Sequence, residues 1–553
     1  MTESWSIEWA AVGEWWRGAV IYQIYPRSFQ DSNGDGIGDL RGVRARLRHV
    51  AGLGADAIWI APFFPSPQHD FGYDVSDYTG VDPQFGTLED FDAVVAEAHR
   101  LGLRVLIDQV WSHSSDAHPW FADSRARRFG RDDWYIWVDP RPDGGPPNNW
   151  LGVFGGSAWT WEPRRRQYYL HHFLPQQPKL NLAHPDVLDA VLNAGRFWLD
   201  RGVDGFRLDA LDFMAHDPAL TDNPARPLAE VPSKPFAMQD HLHDMAGPQT
   251  VEVLAAIRGL LNTYPGTVAM AEVGSQMTRI PPLARAGQYT DAQAGPMHMA
   301  YSLRMMKQPG DAASLAAFIR EAEDEAGQGW LVWAFSNHDV ARVATRWGNG
   351  DRRAAQCYMA LLLCLRGSVC LYQGEELGLP EADVPFDRLQ DPFGLTFWPE
   401  FAGRDGCRTP MPWTPEAPAG NTWLPLPSEH LGLSVAVQEA DAGSMLNTTR
   451  ALLAWRKTSP ALRTGSLTLR PADAPLLAFE RVEGDERLLC VFNLGPDPVS
   501  VPWTDGVPAP VPGFPVPEEG RLAAWSAAVY RLQQFMNIPR LSRVVSERVD
   551  HAV

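Results

Sequence analysis

Cysteine is scarce in this 553-residue chain. The five that occur, Cys357, Cys364, Cys370, Cys407 and Cys490, are odd in number and form no CxxC pair. That argues against a disulfide framework and against a thiolate metal site. Long apolar runs are also missing, since none reaches the roughly 18 residues a membrane-spanning helix needs. The N-terminal stretch MTESWSIEWAAVGEWW has no basic segment leading into an apolar one, so no secretory signal is read there. Together these lacks point to a cytoplasmic protein with free thiols. Positive charge is in deficit as well: 48 Lys and Arg face 67 Asp and Glu, a net charge of −19. Nucleic acid and anionic membrane, which call for basic patches, are disfavoured as partners, and a neutral or cationic small substrate is favoured. Tryptophan, by contrast, is abundant at 22 residues. Such indoles serve core packing or stack on the apolar faces of sugar rings.

Residues 203–208 form the stretch from which the chain is best read. An amphipathic helical pattern precedes it, with Leu188, Val191, Leu192, Gly195 and Leu199 on one face, and Gly202 offers the stop. The short strand that follows carries Arg207, and Asp209 lies two residues on, so both point to the same side. The same rhythm of short strand and helix runs through most of the chain. Strands are predicted at 19–25, 56–60, 104–108, 203–208, 267–272, 297–303, 331–335 and 368–372. Helical patterns or extended loops separate them, which predicts an α/β chain folded as a (β/α)₈ barrel. Residues 1–108 and 182–464 are assigned to that barrel. An irregular β-containing insertion rich in Trp, Pro, Gly and His occupies 109–181, after the third strand. Alternating strands at 476–482, 487–493 and 523–532 predict a small antiparallel β domain over 465–535, and 536–553 reads as a tail.

Two groups of residues carry chemistry. Asp31, Asn33, Asp35 and Asp39 put oxygen side chains at alternate positions around the turn glycine Gly36, the donor set of a Ca²⁺ or Mg²⁺ loop. Position twelve of an EF-hand would be Gly42, not a bidentate glutamate, which favours a Ca²⁺ or Mg²⁺ loop over an EF-hand, while a metal-free Asp/Asn/Gly turn stays open. The second group is Asp108, Asp209, Glu272 and Asp339, each at or just past the end of a predicted strand. In a parallel barrel those ends face one pocket. His113, His338 and Arg207 lie beside them in sequence. Two carboxyl groups in different ionisation states are what cleavage of a glycosidic bond with retention requires. The bland alternative for Arg207 and Asp209 is a structural ion pair between neighbouring strands.

The chain resembles the α-amylase family of glycoside hydrolases, in its α-glucosidase and oligo-1,6-glucosidase branch. The matching stretches are AVIYQIYPRSF (19–29), FGYDVSDY (71–78), DQVWSH (108–113), QPKLN (177–181), GFRLDA (205–210), AEVG (271–274), SNHD (336–339), LYQGEELG (371–378) and RDGCRTPMPW (404–413). The resemblance implies Asp209 as nucleophile, Glu272 as general acid and base, and Asp339 as a third carboxylate holding sugar hydroxyls. It implies that Arg207 keeps Asp209 ionised, that His113 and His338 bind the −1 glucose, and that Tyr73 stacks beneath it. Asp70 and Arg408 match the pair that clasps a terminal 4-hydroxyl in exo-acting members, and Phe154 and Phe173 form an aromatic wall. Asp31, Asn33, Asp35, the Ile37 carbonyl and Asp39 match the branch's metal loop, and no organic cofactor is implied.

Departures from the pattern bear on specificity. Ser112 stands where amylases commonly place an asparagine calcium ligand, and Lys179 where oligo-1,6-glucosidases carry aspartate. Ala210 follows the nucleophile where 1,6-selective members have valine, which favours α-1,4 links. The expected activity is that of an exo-acting α-glucosidase on maltose and maltooligosaccharides, with sucrose a further candidate and transglucosylation an open fate. The alternatives are an oligo-1,6-glucosidase, a sucrose- or trehalose-active transferase or isomerase, or a non-catalytic transporter-associated barrel. The last would carry a membrane helix and lack the acids.

Overall fold

A computed structural model describes residues 14–274, 278–418, 420–503, 506–518 and 520–532; the tail at 536–553 lies outside them. Eight parallel strands form one sheet: β1 (Val20–Ile24), β2 (Ala57–Ile60), β3 (Arg104–Gln109), β7 (Gly205–Leu208), β8 (Val268–Val273), β9 (Met299–Ser302), β10 (Val332–Trp333) and β11 (Ser368–Tyr372). Strand β1 pairs with both β2 and β11, and a parallel bridge from Ala300 to Leu331 joins the two ends into a nearly closed barrel.

Helix signals in the sequence place the outer layer. Asp39 caps the helix Leu40–Leu53 by accepting from the Gly42 amide, and Gly54 ends it in the left-handed conformation. Thr87 and Asp90 form a capping box on Leu88–Arg100. The helix before β7 runs Pro185–Leu199, with proline at its first turn and Val187, Val191, Ala194 and Trp198 buried.

Two-residue alternation along the strands builds the barrel interior in layers. Ile21, Ala57, Leu106, Val268, Met270, Met299, Val332 and Cys370 fill an apolar plug with Trp59 and Tyr301. Two residues further on, the same inward faces carry Gln23, Asp108, Arg207 and Glu272, at or near the C-terminal ends. Burying roughly 25 cal/mol per Å² of apolar surface in that plug fixes the register, and the register sets Asp108 beside Arg207 and Glu272 beside Tyr301. Gly205 is required at the start of β7: a Cβ there would lie 2.1 Å from the Val268 carbonyl oxygen.

The insertion after β3 contains a three-stranded antiparallel sheet, β4 (Trp137–Val138), β6 (Gln167–Leu170) and β5 (Trp159–Glu162), in that spatial order. After the barrel comes a five-stranded antiparallel sheet of order β12-β13-β14-β18-β16, formed by Ser466–Arg470, Leu476–Glu483, Glu486–Asn493, Ser526–Leu532 and Gly506–Ala509. Strands β15 (Val499–Ser500) and β17 (Arg521–Leu522) make a separate ladder. The predicted strand at 523–532 is thus shorter and begins at Ser526, because residues 523–525 form the turn after β17. No helix among the described residues is long and apolar enough to cross a membrane.

Candidate active site

Arg207 is the centre of the site. It is fully buried in β7 and lies 4.8 Å from the Trp59 ring centroid. Its Nη1 donates to Asp108 Oδ1 at 2.7 Å and Asp209 Oδ1 at 2.6 Å, and its Nη2 lies 2.7 Å from Glu272 Oε2. The Tyr301 hydroxyl accepts from Nη2 at 2.7 Å. Three carboxyl groups therefore share one buried guanidinium. Three negative charges repelling beside one cation do not all stay ionised, so the cluster is built to hold a proton. Burial pushes Glu272 up to about 7, with Arg207 pulling it down and Asp209 and Asp339 adding to the rise. Burial also raises Asp209, against the pull of Arg207. Glu272 is gripped a second time, by the Ala210 amide at 2.9 Å. Ala210 itself takes a left-handed backbone, φ +44° and ψ +43°, a strained state for a residue with a Cβ.

Asp339 has its own cations. Arg404 Nη1 and Arg408 Nη2 each reach its Oδ1 at 3.0 Å, and the two guanidiniums hold its carboxyl well below the usual range despite burial. His338 lies between two tyrosines, stacked on Tyr73 at 5.3 Å and Tyr25 at 5.7 Å. Its Nδ1 meets Gln23 Nε2 at 2.7 Å and its Nε2 the Tyr73 hydroxyl at 2.6 Å. Burial lowers it to about 3 and His113 to about 4, so both imidazoles are neutral and serve as hydrogen-bonding groups.

Asp70 is brought to Arg404, not to Arg408. Arg404 Nη2 holds Asp70 Oδ1 at 2.7 Å and Asp391 Oδ1 at 2.8 Å. Arg408 sits one step back, donating through Nε to the His338 carbonyl at 2.7 Å. Both arginines lie in the one motif at 404–413, and the sequence offers no periodicity that chooses between them. The choice comes from the short 3-10 turn Asp405–Cys407. Gln177, Asp391 and Phe393 were likewise not singled out from sequence. Gln177 Nε2 donates to Asp70 Oδ2 at 3.2 Å and approaches His113 Nε2 at 3.2 Å. Phe393 stacks on Phe154 with centroids 3.9 Å apart, and Arg404 covers both rings at 5.4 Å and 5.0 Å. Phe173 packs elsewhere, between His113 and Phe213 at 5.0 and 4.9 Å. The expected aromatic wall is therefore divided, with Phe154 at the Arg404 end.

The metal loop keeps its oxygen donors, but its carboxylates are engaged within the chain. Asp31 accepts from the Asn33, Gly34 and Gly36 amides at 3.0, 2.6 and 2.8 Å. Asp35 accepts from the Ile37 amide at 2.8 Å. Asp39 accepts from Ser32 and caps the following helix. Among the described residues no group of three or more His, Cys, Asp or Glu side chains is assembled that could hold a metal ion. The donor chemistry suits a hard divalent cation, and the loop does not present it as a gathered cluster.

At one mouth of a parallel barrel three carboxyl groups thus share Arg207 and a fourth, Asp339, has its own pair of arginines, an arrangement suited to acid–base work on a glycosidic bond. The match of residues 23–465 to the alpha-amylase catalytic domain agrees, and the chain belongs to the α-amylase family of glycoside hydrolases. It is 50% identical over 539 residues to a probable alpha-glucosidase of Rhizobium meliloti (strain 1021), covering 94% of this chain and 97% of that one. An oligo-1,6-glucosidase of Heyndrickxia coagulans is 35% identical over 538 residues, covering 89% and 94%. Among solved structures, the alpha-glucosyl transfer enzyme XgtA superposes with a TM-score of 0.90 at 50% identity, covering 94% of this chain and 99% of that one. The protein is an α-glucosidase-type enzyme of that family.

Proposed function

We propose that the enzyme is a retaining, exo-acting α-glucosidase that removes α-glucose from the non-reducing end of maltose and short α-glucosides. The observation that carries this reading is the single guanidinium of Arg207 bridging Asp209 and Glu272. Acids joined across one guanidinium suit the closer of the two glycosidase arrangements, ~5–5.5 Å rather than ~6.5–9.5 Å, where a carboxylate attacks directly. Asp209 attacks the anomeric carbon while Glu272 passes its proton to the departing glycosidic oxygen. The C–O bond to the aglycone breaks as the ester to Asp209 forms. Glu272, now a carboxylate, takes a proton from an incoming hydroxyl, whose oxygen displaces Asp209 and restores the α configuration. That hydroxyl belongs to water in hydrolysis or to a second sugar in transglucosylation. Asp339, ionised between Arg404 and Arg408, accepts hydrogen bonds from the sugar hydroxyls as the ring flattens.

The Asp70–Arg404 pair gives the pocket a charged far wall, which supports exo action on one glucose. Ala210, smaller than valine, leaves room beside the aglycone and supports α-1,4 over α-1,6 preference. The oxygen donors Asp31, Asn33, Asp35, Ile37 and Asp39 suit a structural Ca²⁺ or Mg²⁺ ion. Five buried free thiols suit a reducing compartment, which supports a cytoplasmic site of action. Product analysis on maltose, isomaltose, sucrose and trehalose tests the reading. Free α-glucose from maltose, faster than from isomaltose, is expected. Release of β-glucose, or no cleavage of any α-glucoside, would refute it, and net isomerisation of sucrose would favour the transferase alternative.

A further inference from the structure

Lys179 is buried without an acid beside it. Only 2% of it is exposed, and it appears in none of the ion pairs among the described residues. Its Nζ donates to the backbone carbonyls of Phe213 and of Met214, the latter at 3.0 Å. Burial alone pushes the ammonium down to about 7, and the titratable groups around it are the imidazoles of His113, His172 and His216, all held neutral by burial. A neutral amine keeps two N–H groups, so both carbonyls are served in either state.

The position of those carbonyls matters. They end the 3-10 turn Leu211–Phe213 that directly follows Asp209 and Ala210. The turn closes on itself through the Phe213 amide to the Ala210 carbonyl at 2.9 Å and the Met214 amide to the Leu211 carbonyl at 3.0 Å. On the barrel side Asp212 anchors it, on Arg285 at 2.8 Å and on the Gly274 amide at 2.8 Å. On the side of the inserted domain the backbone anchor is Lys179, whose own amide donates to the Leu170 carbonyl at 2.9 Å, at the end of β6. The turn therefore starts at Ala210, whose left-handed backbone leads into it and whose amide donates to Glu272 Oε2 at 2.9 Å.

We propose that Lys179 is a positioning residue: through it the inserted domain fixes the turn behind the nucleophile and, by way of Ala210, the orientation of the Glu272 carboxyl. The inference rests on the reading of Glu272 as general acid and base. Without the lysine, the two buried carbonyls lose their donor and the turn rotates to find another. The Ala210 amide then slackens its hold on Glu272, which is left with Arg207 Nη2 as its one remaining anchor of the two, while the bond of Asp209 to Arg207 Nη1 does not pass through that amide.

The test exploits leaving-group chemistry. A misplaced general acid harms substrates whose departing oxygen needs a proton, such as maltose, and spares those with an acidic leaving group, such as 4-nitrophenyl α-glucoside. In Lys179→Met, kcat/KM on maltose should fall roughly tenfold, a fraction of the 10²–10⁴ that general acid catalysis supplies, with the nitrophenyl substrate nearly unchanged. Lys179→Arg, which keeps donors on a longer stem, should show the same split at smaller size and carries the test if the methionine variant does not fold. Equal losses on both substrates, or no loss on either, overturn the proposal. Glu272→Gln is the control for the underlying reading: if it shows no leaving-group split, the assignment of Glu272 fails, and not the role of Lys179 alone.

Discussion

Replacing Arg404 by methionine separates the two arginines that the motif at 404–413 offers. Arg404 binds Asp70 at 2.7 Å, Asp391 at 2.8 Å and Asp339 at 3.0 Å. Arg408 binds Asp339 at 3.0 Å and the His338 carbonyl. Losing Arg404 leaves Asp70 and Asp391 buried without a directly bonded cation, Arg408 acting on them only from a distance, whereas losing Arg408 leaves Asp339 still paired with Arg404. Removing one partner of a buried ion pair costs ~3–5 kcal/mol. Part of that is recovered when Asp70, already raised by burial, takes up a proton. A protonated Asp70 no longer presents two acceptor oxygens to a terminal hydroxyl. If ~3–4 kcal/mol of transition-state binding is lost, kcat/KM falls by about 10²–10³.

The assay compares an α-glucoside with its analogue deoxygenated at C4 of the terminal glucose. Wild type should discriminate strongly in favour of the hydroxyl, because a site built to bond it leaves buried polar groups unpaired without it. Arg404→Met should abolish most of that discrimination, and Arg408→Met should keep it while lowering activity on both. Should Arg404→Met discriminate as wild type does, or Arg408→Met lose the preference instead, the assignment of the clasp to Asp70 and Arg404 would be refuted.

Asp209→Asn should remove turnover by about 10⁴-fold or more, as loss of a nucleophile does, with Tm close to wild type; substantial activity in a clean preparation would remove Asp209 from that role. Glu272, raised to about 7, must carry its proton to act as acid, so kcat/KM should fall as pH rises through that value, and the limb should vanish in Glu272→Gln. The same raised value makes the protonated form the favoured one in the folded state. Its stabilisation is therefore full below the ordinary value of 4.5 and lost as pH rises toward about 7, a slope in Tm that Glu272→Gln should flatten. Ala210→Val should move preference from maltose toward isomaltose and lower Tm, because a β-branched residue at φ +44° is a steric outlier; an unchanged maltose-to-isomaltose ratio would sink the linkage argument. Added Ca²⁺ or Mg²⁺ should raise Tm logarithmically with concentration, by ~2.7 kcal/mol of stability at a hundredfold excess over Kd, and Asp31→Ala should abolish the effect; no response to either ion or to chelator would leave the loop an Asp/Asn/Gly turn.

What the sequence made legible, and what it did not, follows from how local each signal is. Strands of the barrel announce themselves through apolar runs ended by acids, and the two-residue period places Asp108, Arg207, Asp209 and Glu272 on inward faces without further information. The contacts of Arg207 suit both of its readings. It is an ion pair between neighbouring strands, to Asp108 across the β3–β7 register, and it also grips the two acids of the proposed chemistry. The sequence presented these as alternatives because a strand pair and a site are distinguished only by which other strands converge. Residues on irregular segments behaved differently. Arg404 and Arg408 are four apart around a 3-10 turn, and Asp391 and Phe393 begin a short helix, Pro392–Phe397, inside a long loop. No period governs such segments, so partners 334 residues apart, like Asp70 and Arg404, are set by tertiary packing alone.

Lys179 shows the same limit from the other side. In sequence it is a departure from the aspartate that oligo-1,6-glucosidases carry, with no role attached to it. Folded, the lysine supplies donors to carbonyls that would otherwise be buried acceptors, at the joint between the inserted domain and the barrel. A carboxylate there could not do this, since it has no hydrogen to give. In this chain the inserted domain therefore brings a donor to the turn after Asp209. This also means that Lys179 and the conformation of residues 210–214 cannot be exchanged independently: restoring aspartate alone would set a carboxylate against two carbonyl oxygens. Lys179→Asp should accordingly be more damaging to stability than Lys179→Met, although aspartate is the residue expected there from the oligo-1,6-glucosidases. A thermal melt in which the aspartate variant equals or exceeds the methionine variant would show that the turn, not the lysine, makes the adjustment.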